Sequence, residues 1–281
     1  MIGQGKLQSQ LFGLIHDDKF PRFAVFIGPR GSGKKTLINW ICTNFRDKSP
    51  VIIDRGEQSC LADSVRQSIA DAHRLVGSQV ILVFADADNM SQAARNAMLK
   101  LTEEPPNNAY IIMTVEDSSS LLETIQSRAT IFYMQPYSRE ELCNYCSQLA
   151  LSDSDMSVLT TICENPGEIK LLYDNYNVQE FIQYVNLVLD NIADVSIANS
   201  FKIASKVALK DGEKGYDLKL FWKAFMVTAF SRLEEHYKWS QVLRITSQFL
   251  SWLRIKGANK QMLMDNWIIA VREVLQDDSR G

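Results

Sequence analysis

The 281-residue chain has the composition of an ordinary globular protein, with 46% hydrophobic and 22% charged residues. Its net charge of −3 provides no chain-wide basic surface, so any nucleic-acid contact must come from a local cluster of Lys and Arg. The first ten residues lack the apolar core of a signal peptide, and no run approaches the ~18 apolar residues of a membrane span. We therefore expect a cytoplasmic protein without membrane contact.

Short apolar runs in the first half of the chain predict buried parallel strands, at residues 23–27, 51–53, 80–84, 109–114 and 130–134. Continuous apolar runs are typical of strands that are covered on both faces. Helical patterns lie between most of these runs, at 34–46, 60–76 and 91–103. Alternation of strand and helix predicts an α/β fold with a doubly wound parallel sheet.

The second half of the chain has a different pattern, because no proline follows Pro166 and long helices are therefore permitted. Ser138 and Glu141 have the spacing of a capping box that opens a helix. We predict helices near 139–150, 155–164, 167–176, 178–192, 196–210, 217–237, 239–256 and 259–276. The predicted domains are an α/β domain at 1–136, a small helical domain at 137–177 and a helical domain at 178–281. The large aromatic residues between 220 and 267 are interpreted as core at helical spacing.

The five cysteines are expected to be free thiols, since their number is odd and they are scattered through the chain. Cys143 and Cys146 have CxxC spacing, but no second such pair exists. A four-ligand zinc site needs partners that this sequence does not offer, so we predict a structural role for the pair and no zinc.

A phosphate-binding loop is predicted where the first strand meets the first helical pattern. The residues assigned to this loop are Gly28, Gly31, Ser32, Gly33, Lys34, Lys35 and Thr36. Glycines allow backbone N–H groups to surround phosphates at a helix N-terminus, and Lys34 would contact the β- and γ-phosphates. The alternative is a Gly-rich turn between strand and helix.

Both positions that should hold Mg²⁺ are altered. Lys35 stands where the loop needs Ser or Thr, and Thr36 lies about 100° further around the helix. A second ammonium at this place opposes metal binding. After the third strand, where ATPases carry Asp and then Glu, the sequence reads Ala85-Asp86-Ala87-Asp88. Read directly, Asp86 is the metal ligand and Ala87 stands where the catalytic glutamate should be. The pair of acidic residues is then incomplete, and slow or absent hydrolysis is expected.

Residues 91–106, SQAARNAMLKLTEEPP, are followed by a strand and then by LLETIQSR at 121–128. This series resembles the clamp-loader subunits of the AAA+ class, and the resemblance spans residues 2–175. Ile2-Gly3-Gln4 is similar to the family's segment near the nucleotide base. The resemblance implies that 1–136 is an AAA+ P-loop domain and that 137–177 is its lid. Residues 178–281 then resemble the collar domain, through which such subunits assemble.

The resemblance also implies roles for single residues. Arg128 matches the arginine finger, which acts on a phosphate in a neighbouring subunit, and Thr114 matches sensor 1. Lys170 lies where sensor 2 carries arginine, while Arg95 and Lys100 lie on a helix that is near the DNA backbone in the family. The alternative readings are a surface arginine at a loop end and ordinary solvated cations. In the family register Ala85 occupies the metal-ligand position and Asp86 the glutamate position.

Several departures point to the delta-prime type of clamp-loader subunit, in a phage-encoded or otherwise divergent version. Ala129 replaces the usual cysteine after Ser127-Arg128, and the zinc insertion of many bacterial members is missing. We expect a subunit that hydrolyses little ATP itself, binds ATP or ADP weakly and has a metal site opposed by Lys35. The implied partners are other subunits in a hetero-oligomeric ring, a sliding clamp and the backbone of primer–template DNA. The alternatives are an active ATPase motor subunit and an AAA+ adaptor outside replication.

Overall fold

The computed structural model describes residues 2–45, 50–75, 77–149, 151–193, 201, 206–208, 215–234, 237–253, 255 and 257–277. Two compact units are present. The first comprises Met1–Tyr145 with Asn165–Gly167, and the second comprises Cys146–Glu164 with Glu168–Gly281. The predicted division into three domains, with boundaries after 136 and 177, stays a prediction.

The first unit is built on a parallel sheet whose strand order is β2-β3-β4-β1-β5. The strands are β1 (Phe23–Ile27), β2 (Val51–Asp54), β3 (Val80–Phe84), β4 (Ala109–Val115) and β5 (Thr130–Tyr133). All five coincide with the predicted apolar runs, but the predicted burial is wrong for β2 and β5. Val51, Ile52 and Tyr133 are exposed, because these two strands lie at the ends of the strand order. Strand β1 lies between β4 and β5, so the chain crosses the sheet at this point, which is where open α/β sheets bind ligands.

Helices cover both faces of the central strands β1, β3 and β4, whose residues are all buried. These helices are α1 (Gly5–His16), α2 (Lys34–Asn44), α3 (Ala62–Arg74), α4 (Gln92–Glu103) and α5 (Glu123–Gln126). Helix α6 (Arg139–Cys146) follows β5 in the chain. Val25 and Leu82 pack in one core cluster with side chains of α3, α4 and α5. Phe26 and Ile81 pack in the other, with α1 and α2. Successive strand residues thus alternate between two buried layers.

Helix α1 was not predicted, although its buried residues Leu7, Leu11 and Ile15 recur at intervals of four. The predicted start of α6 is confirmed by two reciprocal hydrogen bonds. The Ser138 N–H donates to Glu141 Oε2 at 2.8 Å, and the Glu141 N–H donates to Ser138 Oγ at 3.2 Å. This is the capping box read from the sequence.

The second unit is a helical assembly around an aromatic core. Its helices are α7 (Asp153–Ile162), α8 (Pro166–Asn175, from Glu168 onward), α9 (Val178–Asn191), α10 (Leu218–Phe230), α11 (Lys238–Trp252) and α12 (Lys260–Gln276). Helix α10 packs against α7, α9 and α11. The Phe225 and Trp267 rings meet edge to face with centroids 4.9 Å apart. Trp222 and Trp239 are also buried.

Two of the aromatic residues predicted for this core lie at the surface, and that part of the interpretation was wrong. Phe230 is 66% exposed and Trp252 is 38% exposed. Each is the last residue of its helix, α10 or α11. At a helix end the helical spacing no longer determines which face a side chain joins, because the next turn is missing.

The prediction of a continuous helix at 196–210 is corrected where it can be compared with the structure. Residues 207–208 form the short strand β6 (Val207–Ala208), which pairs in parallel with β7 (Tyr216–Asp217). Most of the remaining predicted helix lies outside the described residues. The absence of proline permits a helix but does not require one, and Val207 is a β-branched residue.

A buried group of charges joins α8 to α10 within the second unit. Lys223 Nζ donates to Glu168 Oε2 at 2.9 Å and to Glu164 Oε2 at 2.8 Å. Lys219 Nζ donates to Glu168 Oε1 at 2.7 Å. Glu168 and Lys223 are both buried. Glu164 is exposed and Lys219 is half-buried. Two lysines and two glutamates balance in charge, so the pair of Glu168 and Lys223 can be kept in the interior.

No helix in the described ranges is both long enough and apolar enough to cross a membrane.

Candidate functional site

The predicted phosphate loop connects the carboxyl end of β1 to the first residue of α2, Lys34. Gly31 and Gly33 have φ values of 86° and 88°, a left-handed conformation that glycine adopts without the strain of a side chain. Gly33 is the N-cap of α2. The loop therefore has the strand–loop–helix context that a phosphate site requires.

The segment Asn165–Gly167 packs directly on this loop, within the first unit. The Gly167 N–H donates to Gly31 O at 3.1 Å. A Cβ atom added at Gly31 would collide with Asn165 Oδ1, and one added at Gly167 would collide with the Gly31 backbone. Glycine at both positions thus allows two stretches of backbone to touch, and the loop is covered by protein on this side.

Gly167→Ala should therefore destabilise the protein by about 1–3 kcal/mol, because the new methyl group must separate the two backbones. Gly13→Ala is a matched control, since nothing lies within 4 Å of a Cβ at Gly13 inside α1. That change should be stabilising by about 1 kcal/mol, the difference between Gly and Ala in a helix. Urea denaturation of both variants measures the contrast, and equal effects would contradict the described contact.

The N-terminal segment and Tyr137 hold the other side of the loop. Tyr137 Oη donates to Ser32 O at 3.0 Å. Gly3, with φ 76°, lies against the Tyr137 ring, where a Cβ would overlap it. The buried Gln4 side chain donates to Gln135 O at 2.8 Å and accepts from the Gln135 N–H at 2.9 Å. Ile2-Gly3-Gln4 is thereby fixed near the loop, while its contact with a nucleotide base stays a prediction.

Lys34 is turned towards its own loop. Its Nζ donates to Gly28 O at 2.6 Å and to Pro29 O at 3.2 Å, and the residue is 7% exposed. Burial lowers the pKa of Lys34 below its ordinary value, although the carboxylates of Glu116, Asp86 and Asp88 act in the opposite direction. The ammonium is therefore held by carbonyl groups of the loop, which a bound phosphate would have to replace.

The residues at the metal positions do not fit Mg²⁺. Lys35 and Thr36 are exposed on the first turn of α2, and Ala85 has no oxygen ligand in its side chain. No group of three or more His, Cys, Asp or Glu residues in the described ranges could hold a metal ion. Magnesium prefers an octahedron of oxygen ligands, and an ammonium group adjacent to the loop lysine adds repulsion.

The segment after β3, which carries Asp86 and Asp88, is held by hydrogen bonds to neighbouring segments. The Ala85 N–H donates to Ser59 Oγ at 3.2 Å, and Cys60 Sγ donates to Ala85 O at 3.0 Å. The Asp86 N–H donates to Oγ1 of the buried Thr114 at 2.9 Å. Asp86 itself is exposed, with a left-handed φ of 53°. Asp86 and Thr114 thus lie together, and their catalytic roles stay predictions.

Asp88 fastens the segment that follows β4. Its Oδ1 and Oδ2 accept from the Glu116 N–H at 2.9 and 3.0 Å, and Oδ1 also accepts from Ser120 Oγ at 2.8 Å. Gln126 Nε2 donates to the carbonyls of Ser118 and Leu121, each at 3.1 Å. These bonds give the short loop before α5 a defined conformation, and Arg128 follows directly on that helix.

Arg128 lies at the amino end of the parallel strands, whereas the phosphate loop lies at their carboxyl end. It precedes β5, whose first residue, Thr130, pairs with Ala24, while Tyr133 pairs with Ile27 at the loop end of β1. The two sites are therefore separated by at least the length of a four-residue strand, about 13 Å. Nη1 donates to Thr124 O at 2.7 Å, and Nη2 forms an ion pair with Glu103 Oε1 at 3.4 Å.

The remaining predicted site residues are more separate. Lys170 is exposed on α8 in the second unit, and its role as sensor 2 stays a prediction. Lys100 is exposed and Arg95 is half-buried on α4, and contact with DNA stays a prediction for both.

The sequence analysis did not predict which distant residues contact the loop or Arg128. The phosphate loop is contacted by Tyr137, Asn165 and Gly167, and Arg128 is contacted by Glu103. The Asn-Pro-Gly run at 165–167 is a turn signal that could have drawn attention to the segment. For Tyr137 and Glu103 no local pattern indicates the partner, because each contact depends on how distant segments meet.

Comparison with known proteins finds similarity to the same kind of subunit that the motifs resemble. Residues 51–138 match the profile of the family described as DNA polymerase III, delta subunit. The chain is 28% identical over 134 residues to DNA polymerase III subunit delta′ of Escherichia coli K12, covering 45% of this chain and 40% of that protein. It is 23% identical over 161 residues to the replication factor C small subunit of Sulfolobus acidocaldarius, covering 54% and 49%. The chain thus spans less than half the length of either relative.

The fold is also found in a solved structure, a DNA polymerase III gamma subunit-related protein of Thermotoga maritima. The TM-score is 0.50 at 15% identity, covering 95% of this chain and all of the other. This similarity bears on the fold alone and agrees with the predicted class, an AAA+ parallel-sheet domain followed by a helical part. Over the part that the sequence comparisons cover, the chain is similar to DNA polymerase III delta-prime and replication factor C small subunits, and the predicted resemblance to clamp-loader subunits is confirmed.

Proposed function

We propose that the chain is a clamp-loader-type subunit in DNA replication that donates Arg128 to a nucleotide site on a neighbouring subunit and hydrolyses little ATP itself. The observation that carries this proposal is the separation of two features. Arg128 is exposed at the amino end of the parallel strands, whereas the chain's own phosphate loop lies at their carboxyl end. An arginine in that place has no path to the local loop, so its use requires a second chain.

The local loop supports the second half of the proposal. Lys34 binds loop carbonyls, the backbone of Gly31 touches Gly167, and neither Lys35 nor Ala85 offers an oxygen to a metal. ATP or ADP would have to displace these contacts, and the expected binding is weak. Thr114, Asp86 and Lys170 are the further residues that we assign to this reduced nucleotide site.

The proposed partners follow from the relatives, which are named as subunits of larger replication proteins. We propose a hetero-oligomeric ring that acts on a sliding clamp and contacts the backbone of primer–template DNA. Purification of the tagged chain from its native source, with identification of the bound proteins, tests this directly. Recovery of replication subunits supports the proposal, and recovery of the chain only as a homo-oligomer with ATPase activity favours the motor alternative.

The isolated chain should show negligible ATP turnover in the presence of Mg²⁺. Lys35→Thr combined with Ala85→Asp restores an oxygen at each metal position, and this double variant should bind Mg²⁺-nucleotide more tightly than the unmodified chain. Isothermal titration and steady-state hydrolysis measure the two quantities. Turnover by the unmodified chain at ordinary enzyme rates, on the order of 1 s⁻¹ or more, would contradict the proposed division of roles.

A further inference from the structure

The guanidinium of Arg128 is held from one side by its own chain. Thr124 O accepts from Nη1 at 2.7 Å, and Glu103 Oε1 pairs with Nη2 at 3.4 Å. A guanidinium has five N–H groups, and the other three have no partner within the described residues. The group is thus oriented by two contacts and keeps donors available for an incoming anion.

The two contacts come from segments that are themselves fixed. Thr124 belongs to α5, whose preceding loop is fastened by Asp88 and Gln126. Glu103 is the last residue of α4, and Pro105 and Pro106 follow it closely, so the helix cannot continue. Helix α4 packs against α5. The carboxylate of Glu103 is therefore supplied by a helix end at a defined distance from the loop that carries Arg128.

We propose that Glu103 is a positioning residue for Arg128: its carboxylate restricts the rotamers of the guanidinium and holds the free N–H groups ready for a phosphate of another chain. This inference rests on the proposed function. A long arginine side chain loses considerable rotamer entropy when it becomes fixed. A partner that fixes it beforehand lowers that cost in the transition state.

The test uses the complete complex, purified through the tagged chain and assayed for Mg²⁺-ATP turnover with DNA and clamp present. Glu103→Ala and Glu103→Gln should each reduce kcat about 1.5- to fivefold, the range that corresponds to an exposed ion pair. KM for ATP should stay unchanged, because Arg128 acts on charge that develops in the transition state. Glu103→Asp keeps the charge and should recover part of the loss.

A double-mutant cycle then separates an effect through Arg128 from an effect on the fold. In a chain that already carries Arg128→Ala, Glu103→Ala should cause no further loss of kcat. Glu104→Gln is the matched control, since Glu104 is exposed beside Glu103 and forms no ion pair in the described part of the chain. That control should leave kcat unchanged.

Three results would overturn the inference. An unchanged kcat in the Glu103→Ala complex means that the ion pair of Glu103 with Arg128 has no effect on turnover. A higher kcat means that Glu103 competes with the phosphate for Arg128. Equal losses in the presence and absence of Arg128 mean that Glu103 acts on the fold. If Arg128→Ala itself leaves kcat unchanged, the proposed function fails, and this outcome is distinct from a failure confined to Glu103.

Discussion

Replacement of Arg128 by Ala should reduce ATP turnover of the complete complex by about 10³- to 10⁵-fold, the contribution of arginine fingers in comparable phosphoryl-transfer enzymes. The guanidinium would neutralise charge on the transferring phosphoryl group, and Arg128→Ala removes that charge. Fold and assembly should persist, because Arg128 is partly exposed and its ion pair with Glu103 is a surface contact. Gel filtration of the complex and steady-state turnover measure the two properties.

Two variants sharpen this prediction. Arg128→Lys retains the positive charge but loses the planar fork, so most of the turnover should still be lost. Arg66→Ala removes another exposed arginine, which pairs with Asp63 on α3, and it should leave turnover unchanged. A complex that keeps full activity with Arg128→Ala contradicts the proposed role, and a complex that falls apart assigns Arg128 to assembly.

The second large effect is expected at Glu168, whose carboxylate pairs with Lys219 and with the buried Lys223. Within the described residues, Glu168→Ala leaves the buried Lys223 ammonium paired with the exposed Glu164 alone. Removing one member of a buried ion pair costs about 3–5 kcal/mol. Asp190→Ala is the matched control, because Asp190 pairs with Arg232 at an exposed position, and its loss should cost at most about 1 kcal/mol.

Tryptophan fluorescence during urea denaturation can follow this effect in the second unit. Trp222, Trp239, Trp252 and Trp267 all belong to that unit, so a Trp40→Phe background reports on it alone. Glu168→Leu combined with Lys223→Met replaces the buried ion pair by apolar residues. This double variant should recover most of the stability that Glu168→Ala loses. Equal urea midpoints for Glu168→Ala and the unmodified chain would contradict the described network.

The same network predicts a dependence on pH. Burial acts to raise the pKa of Glu168, but the hydrogen bond from the Glu164 N–H and the two lysines outweigh it, and the pKa lies below its ordinary value of 4.5. A carboxyl whose pKa is depressed in the folded state stabilises above its unfolded pKa, and this stability is lost as pH falls through the folded pKa. The difference in stability between the unmodified chain and Glu168→Gln should therefore shrink below about pH 4.5.

The sequence predicted the sheet well because each buried strand carries a signal of its own. The runs at β1, β3 and β4 are continuously apolar, and the structure places alternate residues in two core layers. The capping box at Ser138 is likewise a local signal, since both hydrogen bonds lie within four residues. The predicted helix over 207–208 failed because the lack of proline is permissive only, and Val207 pairs with Tyr216.

The candidate site was predictable in its parts but not in its assembly. The positions of Lys34, Asp86, Thr114 and Arg128 follow from motifs, because each stands at the end of a strand or helix. The contact of Gly167 with Gly31 joins residues 136 positions apart, as their numbers show. The turn of Lys34 towards Gly28 and Pro29 likewise depends on the folded loop, and no spacing in the sequence encodes it.

The most direct test of the proposed division of roles compares Lys34→Ala with Arg128→Ala in the same chain and in the same complex. Both changes remove one cation from the first unit, and both complexes are assayed for Mg²⁺-ATP turnover with DNA and clamp present. We predict a sharp loss for Arg128→Ala and a much smaller one for Lys34→Ala, because the local loop already lacks its metal ligands. The reverse order, with Lys34 essential and Arg128 dispensable, would contradict the proposal and assign the chain as an ATPase motor.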